Sequence, residues 1–438
     1  MAEVERQRLT HKRWLILAVS CLINLCIGSS YAWSVFSTPM AEYLSGILSR
    51  PLGASDLAIV FTVASAITPV TLIAGGFIND RLGAKWVVFG GGVLFGTGMM
   101  LSGFAKAPNS LILSYGCGCG LAMGLIYGCT VSNAVKFFPD KRGLIGGIVT
   151  ASYGISSVLV PPAANILIQK SGVLQAFRTL GIIFVLIICA GAFFMEQCPQ
   201  DFRPAGYEPA QEGVKSILNA DRNWKQMLAD PTFYVMILML TCGAVFGLMT
   251  ISQVSPIAQN MIGLSITQAT ASVSVLALFN AAGRVAAGYL SDLIGRVRML
   301  LIMLVSAVGG LLLLYFSGTG DTIRFYAGIA IIGLCFGAFM GVFPSFTADQ
   351  FGIRNNSVNY GIMFIGFALA GYLGPTLMSS LYRQTGSYQP AFITAIGIAV
   401  FGIVLNIILQ KMSRASIRSG SSWNESKVQY IHSVSEPE

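Results

Sequence analysis

The sequence predicts an all-α polytopic membrane protein, in which twelve transmembrane helices form two pseudo-symmetric six-helix bundles. Three observations support this prediction. Charged residues make up 10% of the 438 residues and hydrophobic residues 54%, whereas a soluble protein carries about 25% charged residues. About twelve apolar stretches reach the length of roughly 20 residues that a spanning helix needs. A short motif also recurs at the same place in each half of the chain.

The apolar stretches alternate with short polar loops along the whole chain. Hydropathy defines the ends of each stretch only to within several residues. The predicted spans lie near 14–38, 57–78, 86–105, 109–134, 143–168, 176–195, 233–258, 268–290, 299–317, 324–346, 358–382 and 390–410.

Lysine and arginine are distributed unequally between the two sets of loops. If the N-terminus is cytoplasmic, the loops on that side hold most of the basic residues and the opposite loops hold few. Those few are Arg50, Lys106, Lys170, Arg178, Arg324 and Arg383. Because cytoplasmic loops are enriched in Lys and Arg, both termini are expected in the cytoplasm.

The longest hydrophilic segment divides the chain into two halves. The predicted organisation is a first bundle at 1–195, a cytoplasmic linker at 196–230, a second bundle at 231–412 and a cytoplasmic tail at 413–438. The linker ends in Asp230-Pro231, which predicts a helix start because Asp caps a helix N-terminus and Pro fits its first turn.

The recurring motif has the pattern G-x-x-x-D-x-x-G, followed by basic residues. The first copy runs from Gly76 to Lys85 after the second span, and the second copy runs from Gly288 to Arg298 after the eighth. A duplicated motif in matching loops indicates a transporter built from two related halves.

One cation, Arg284, stands near the middle of the eighth predicted span. Arginine at the centre of a bilayer costs about 2.5–3.5 kcal/mol on insertion scales, and no acidic residue lies in any predicted span. We therefore hypothesise that the missing anion is the transported substrate, bound by the guanidinium in a bidentate way. A structural arginine bonded to backbone carbonyls is the alternative. Asn280, one turn earlier, shares the same helix face and can orient the guanidinium or donate to the substrate.

Several other kinds of site are not expected. The two histidines lie in the tails and the nine cysteines form no C-x-x-C pair, so no metal, cofactor or enzymatic centre is predicted. The net charge of +9 is spread over short loops and termini, which argues against nucleic-acid binding. The expected partners are the lipid bilayer and a small organic anion. One chain that holds both halves is expected to act as a monomer.

The chain resembles the major facilitator superfamily in its twelve spans and its two motif copies. More narrowly it is similar to the oxalate/formate antiporter family, and more distantly to the monocarboxylate transporters. The matching segments are Gly28–Phe36, Tyr127-Gly128, Phe138–Gly143, Tyr153-Gly154, Phe279–Arg284, Phe343–Ser345, Asp349–Gly352 and Asn359–Gly361. This resemblance implies a transporter of the cell membrane, typically the bacterial inner membrane, that uses no cofactor.

The resemblance also implies a substrate site between the halves. The residues expected to bind substrate are Arg284, Asn280, Tyr31, Tyr127, Tyr153, Trp33, Phe364 and Phe367. The tyrosines would donate hydrogen bonds to a carboxylate and the phenylalanines would form an apolar wall, with simple packing as the alternative for each aromatic residue.

A second set of residues is expected to act in gating without touching the substrate. These residues are Asp80, Arg81, Asp292 and Arg296. In the superfamily that the chain resembles, the motif's acid lies against the N-terminus of a neighbouring helix, where the helix dipole favours it. The basic residues pair across the cytoplasmic seam, which closes that side of the transporter.

Two positions depart from the oxalate transporter of the family. Phe367 stands where that transporter has a lysine as second cation, and Met340 replaces a tyrosine. Two cations suit a dicarboxylate, whereas one cation in an apolar pocket suits a monocarboxylate such as pyruvate, lactate or formate. The expected mode of transport is that of an exchanger or a facilitator. Monocarboxylate transporters have an acid where this chain has Asn280, which cannot titrate. A drug or toxin exporter and a proton-coupled monocarboxylate symporter are the alternatives.

Overall fold

A computed structural model describes residues 3–54, 56–199, 202–207 and 221–434 of the chain. The side chains of Tyr31, Asp80 and residues 413–434 lie outside this description, as do residues 208–220 of the predicted linker.

The described part contains twelve helices that are long and apolar enough to cross a membrane. They are α1 (Glu3–Ile27), α2 (Ala58–Leu82), α3 (Ala84–Ser102), α4 (Pro108–Phe137), α5 (Arg142–Ser171), α6 (Val173–Phe194), α7 (Pro231–Asn260), α8 (Ile266–Ile294), α9 (Arg296–Tyr315), α10 (Thr322–Phe351), α11 (Asn356–Thr385) and α12 (Gln389–Val434). Each predicted span overlaps one of these helices, which confirms the predicted fold class.

Local sequence explains where two of these helices begin. The Asp230 carboxylate accepts a hydrogen bond of 2.8 Å from the Thr232 amide, and Pro231 occupies the first turn of α7. This arrangement confirms the predicted helix start. The Ser265 hydroxyl caps α8 by accepting from the Gln268 amide, and the Gln268 side chain accepts from the Ser265 amide in return. Such reciprocal caps satisfy amide groups that have no partner inside the helix.

Three of the spanning helices are irregular at membrane depth. After α1 the chain forms a 3-10 turn at Gly28–Ala32 and then continues as a helix over Trp33–Leu48. The α4 helix contains a π-helical stretch at Ile112–Cys119. The α11 helix is interrupted at Phe364. Hydropathy does not detect these interruptions, because they change backbone hydrogen bonding and leave the apolar composition unchanged.

The same helix pairings recur in the two halves. In the first half α1 packs against α5, α2 against α4 and α3 against α6. The equivalent pairs in the second half are α7 with α11, α8 with α10 and α9 with α12. The repeat found in the loop motifs therefore extends to the packing of both bundles.

The halves meet along a seam in which α5 contacts α8 and α10, and α2 contacts α11. Glycines allow the helix backbones to approach closely, as is common in membrane proteins. A methyl group at Gly147 would lie 2.2 Å from the carbonyl oxygen of Arg284, and one at Gly143 would lie 2.3 Å from that of Gly288. The backbone of α8 is therefore held directly against α5 of the other half.

Candidate functional site

Arg284 lies in the interior of the protein, in α8 at the seam between the halves. Its exposed fraction is 4%. The α8 backbone at this point packs between α5 and α10, since a methyl group at Gly341 would lie 2.4 Å from the carbonyl oxygen of Arg284. The position of its backbone is thus determined on two sides by glycines of neighbouring helices.

The guanidinium makes two hydrogen bonds, both to neutral groups. Its Nε donates to the Asn280 side-chain oxygen at 3.0 Å, and its Nη1 donates to the main-chain oxygen of Thr150 at 2.6 Å. No carboxylate of the described residues pairs with it. Because an arginine side chain carries five N–H donors, at least three are left for another partner. The two bonds orient the guanidinium but leave its positive charge uncompensated.

Gly154 of α5 provides the space in which the guanidinium lies. A methyl group at Gly154 would lie 3.3 Å from Cζ and 3.5 Å from Nη2 of Arg284. Glycine therefore lets the flat guanidinium approach the α5 backbone, next to Tyr153.

Aromatic rings from three helices form a continuous group beside this charge. The ring centres of Tyr127 and Tyr153 are 5.1 Å apart, and those of Tyr127 and Phe364 are 5.7 Å apart. Phe364 also stacks on Phe367 at 4.6 Å. The helix interruption at Phe364 thus coincides with the centre of the aromatic group.

Tyr31 and Trp33 were also expected at the site, and the structure describes the side chain of Trp33. The Trp33 ring packs on Tyr115 of α4 at 4.7 Å, and Tyr115 in turn lies within electrostatic range of Tyr153. The Tyr31 side chain lies outside the described part. Its turn adjoins the aromatic group, since the Ser30 hydroxyl is 3.4 Å from the Tyr153 hydroxyl.

The structure adds three residues to this region that sequence reasoning missed. Tyr360 is 1% exposed, packs on Phe364 at 5.8 Å and lies within electrostatic range of Arg284. The Asn359-Tyr-Gly361 segment was the available signal for it. Gly154 likewise stood in the Tyr153-Gly154 segment. Thr150 acts through its main-chain oxygen, and the sequence carries no distinct signal for such a role.

The second motif copy forms an ion-pair cluster at one end of the seam. The Asp292 carboxylate accepts hydrogen bonds from the Gly143 and Leu144 amides, at 2.8 and 2.9 Å, at the start of α5. Arg296 pairs with Asp292 at 2.7 Å and with Asp349 at 2.9 Å. A carboxylate at a helix N-terminus is stabilised by the helix dipole. These contacts join α5, α8 and α10, and the gating role of the cluster stays a prediction.

Asp349 extends this cluster across the seam, because it also pairs with Arg142 at 2.7 Å. Arg81 of the first motif copy behaves differently. It is exposed and forms no ion pair with any described side chain, so its pairing across the seam stays a prediction. Arg81 lies in the last turn of α2, where its side chain extends outward. The Asp80 side chain lies outside the described residues.

These features define a class of protein. Twelve spanning helices in two matching halves, with an uncompensated cation at the seam between them, form the architecture of a multi-pass membrane transporter and not of an enzyme. The chain belongs to the Major Facilitator Superfamily, whose sequence profile matches residues 18–371 and 285–432.

Several relatives are similar over most of their length. The chain is 30% identical to the MFS-type transporter YhjX of Escherichia coli (strain K12), over 82% of this chain and 85% of YhjX. It is 27% identical to the oxalate:formate antiporter of Oxalobacter formigenes, over 92% and 93% of the two chains. It is 23% identical to human monocarboxylate transporter 12, over 100% of this chain and 87% of that one.

Solved structures share the fold at low sequence identity. The proton:xylose symporter XylE superposes with a TM-score of 0.70 at 15% identity, over 92% of this chain and 96% of XylE. The Escherichia coli fucose:proton symporter FucP gives a TM-score of 0.69 at 11% identity, over 91% and 99% of the two chains. These likenesses establish the architecture of the chain.

Proposed function

We propose that the protein moves a small monocarboxylate across the membrane by alternating access, as an exchanger or facilitator. The observation that carries this proposal is the buried guanidinium of Arg284, which has two neutral hydrogen-bond partners and no described carboxylate. An uncompensated charge in a spanning helix is costly. A negatively charged substrate supplies the missing compensation.

The chemistry of the site favours a carboxylate over other anions. Guanidinium binds a carboxylate through two parallel hydrogen bonds. The phenols of Tyr127 and Tyr153 add donors beside the charge, and their rings offer apolar faces to a short carbon skeleton. Two relatives, named as an oxalate:formate antiporter and a monocarboxylate transporter, support this substrate class.

A monocarboxylate fits better than a dicarboxylate because the site has one cation. Among the described residues, two arginines are buried, Arg13 and Arg284. The charge of Arg13 is already paired with Asp140 at 2.8 Å, so only that of Arg284 has no described carboxylate. Phe367 contributes an apolar ring stacked on Phe364. A second carboxylate would therefore lose its hydration against aromatic rings without gaining a counter-charge.

Alternating access follows from the position of the charge at the seam. Arg284 belongs to α8 and donates to the Thr150 carbonyl of α5, so rocking of one half against the other changes its surroundings. With substrate bound, the guanidinium stays neutralised during this movement. An empty carrier would move a bare charge through a low-dielectric region, so exchange of one anion for another is favoured. The excess of Lys and Arg in one set of loops orients both termini toward the cytoplasm.

The first experiment measures the thermal unfolding midpoint of the detergent-purified protein with a panel of acids. The panel contains pyruvate, lactate and formate, then oxalate and succinate, and one cationic drug. A ligand at 100 times its Kd raises the unfolding free energy by about 2.7 kcal/mol. We expect monocarboxylates to raise the midpoint of the wild type and Arg284→Gln to abolish this shift. Arg324→Gln, which removes an exposed arginine paired with Asp321, is the matched control and should keep it.

Each outcome bears on one part of the proposal. A monocarboxylate shift that survives Arg284→Gln would make Arg284 a structural residue and overturn the proposed site. A larger shift with dicarboxylates would overturn the monocarboxylate assignment. A shift with the cationic drug alone would favour an exporter. Proteoliposomes that take up anion equally fast with and without internal substrate would exclude obligate exchange.

A further inference from the structure

Lys85 lies in the first turn of α3, at the membrane end that carries the two motif copies. Its Nζ lies 4.9 Å from the ring centre of Phe193 and 5.6 Å from that of Trp86. No carboxylate of the described residues pairs with it. The protein thus holds this ammonium group between two aromatic rings and supplies it with no described counter-charge.

The two rings face outward from the helix bundle. Trp86 is 59% exposed and Phe193 is 60% exposed. Phe89 joins them, with ring centres 6.4 Å from Trp86 and 5.7 Å from Phe193. Because α3 begins and α6 ends here, these exposed rings lie at the level where spanning helices meet lipid headgroups, a depth at which tryptophan is enriched.

Arg13 provides a comparison within the same molecule. It too lies over two rings, Trp14 at 5.6 Å and Phe138 at 4.6 Å. Its guanidinium, however, pairs with Asp140 at 2.8 Å. Arg178 and Lys225 each lie over a single ring, at 4.0 and 5.5 Å. Of the two described basic residues that lie over two rings, Lys85 is the one whose charge pairs with no described carboxylate.

We propose that Lys85, Trp86 and Phe193 bind the headgroup of an anionic phospholipid. The ammonium group would contact the phosphate as a point charge, which is the usual way lysine binds phosphate. The aromatic rings would pack against the glycerol and upper acyl region. Basic side chains beside a membrane attract anionic lipid through the same electrostatics. Arg81, exposed and without a described ion pair, adds a second positive charge nearby in sequence.

The test compares two lipids of equal chain length on the full-length protein in detergent. Phosphatidylglycerol carries a net negative charge and phosphatidylcholine does not. We expect phosphatidylglycerol to raise the thermal unfolding midpoint above the value with phosphatidylcholine. The Lys85→Gln variant should bind phosphatidylglycerol about fivefold more weakly, which corresponds to about 1 kcal/mol per basic residue at a membrane surface. Lys85→Arg should retain the effect.

Lys106→Gln is the matched control, because Lys106 is an exposed lysine just beyond the opposite end of α3. It should keep the full response to phosphatidylglycerol. If Lys85→Gln and Lys106→Gln lost the response to phosphatidylglycerol equally, the response would depend on the net charge of the protein alone. That result would overturn the proposed site. Equal midpoints with the two lipids, or an unchanged response of Lys85→Gln, would also overturn it. An identical rise with inorganic phosphate would identify a free anion, and not a lipid, as the ligand.

Discussion

Arg284 of α8 and Arg296, the first residue of α9, have opposite electrostatic surroundings. Arg296, whose side chain is 11% exposed, pairs with the carboxylates of Asp292 and Asp349 at 2.7 and 2.9 Å. Arg284 is 4% exposed, and its guanidinium donates hydrogen bonds to the Asn280 amide oxygen and the Thr150 carbonyl oxygen. The more deeply buried of the two cations is therefore the one without a described carboxylate.

This difference shows how the same side chain supports two roles. Hydrogen bonds to neutral oxygens satisfy donor geometry, but they offset little of the cost of burying a full charge. A cation that has carboxylate partners is a structural element, and here it connects α8, α10 and the start of α5. A buried cation without one retains an attraction for an external anion.

The largest effect is expected when Arg284 receives a carboxylate partner of the kind that Arg296 already has. Asn280→Asp places a negative charge beside Nε, which the amide oxygen now contacts at 3.0 Å. Opposite charges at this range attract by about 4 kcal/mol at an effective dielectric of 20, so monocarboxylate affinity at neutral pH should fall roughly a hundredfold or more. Isothermal titration or ligand-induced thermal shift measures this loss.

The same variant should make substrate binding depend on pH. Protonation removes the negative charge of the introduced carboxylate, so affinity should recover once the pH is low enough to protonate it. Asn280→Ala removes the amide without adding a charge, and its affinity should fall less and show no such pH dependence. An affinity for Asn280→Asp that equals the wild-type value at neutral pH would show that compensation of Arg284 does not control binding.

The second prediction removes the compensated cation. Arg296→Gln leaves Asp292 and Asp349 without this partner, and hydrogen bonds to charged groups contribute about 1.5–3 kcal/mol each. We expect a lower unfolding midpoint and slower transport, with the monocarboxylate-induced shift preserved. Arg298→Gln, which removes an exposed arginine in the next turn, is the control. Loss of monocarboxylate binding in Arg296→Gln would contradict the division between Arg284 as the substrate-binding cation and Arg296 as the structural one.

The smallest effect concerns an ion pair outside the membrane spans. Burial raises the pKa of Glu196, but hydrogen bonds from Lys12 and Arg8 outweigh this, so the net pKa is lowered. Because the pKa of Glu196 is lower in the folded state, its ion pairs stabilise that state at pH values above the ordinary glutamate pKa. This stabilisation is lost as the pH falls through the lowered pKa. Glu196→Gln should therefore destabilise the protein by less than about 1 kcal/mol at neutral pH.

Thermal unfolding at several pH values checks this prediction. The difference between Glu196→Gln and the wild type should shrink toward zero in acid. Glu42→Gln changes an exposed glutamate with no described ion pair, and its unfolding midpoint should equal that of the wild type at every pH. A difference for Glu196→Gln that grows in acid would have the wrong sign and would contradict the assigned interaction.

Much of the fold could be predicted from the sequence because its determinants are local. A span requires only a run of apolar residues, and the start of α7 required only Asp230 followed by Pro231. The interruptions at Gly28–Ala32 and Phe364 were not predicted. They depend on contacts with other helices; a methyl group at Gly28, for example, would lie 2.4 Å from the Tyr153 carbonyl oxygen.

The candidate site was predictable in part. Arg284 stood out because a charge is rare in an apolar span, and its i−4 neighbour Asn280 followed from helical spacing. Tyr127 and Tyr153 do lie together. Trp33 packs on Tyr115, and its contact with substrate stays a prediction.

The class of protein, the number of spans, the duplicated halves and the presence of one uncompensated cation could all be read from the sequence, since each depends on composition or on short spacing. The surroundings of that cation depend on how the helices pack in three dimensions. The Thr150 carbonyl oxygen, the space above Gly154 and the ring of Tyr360 reach Arg284 from helices distant in sequence. Their positions follow from backbone packing across the seam, and no local pattern of residue types encodes such packing.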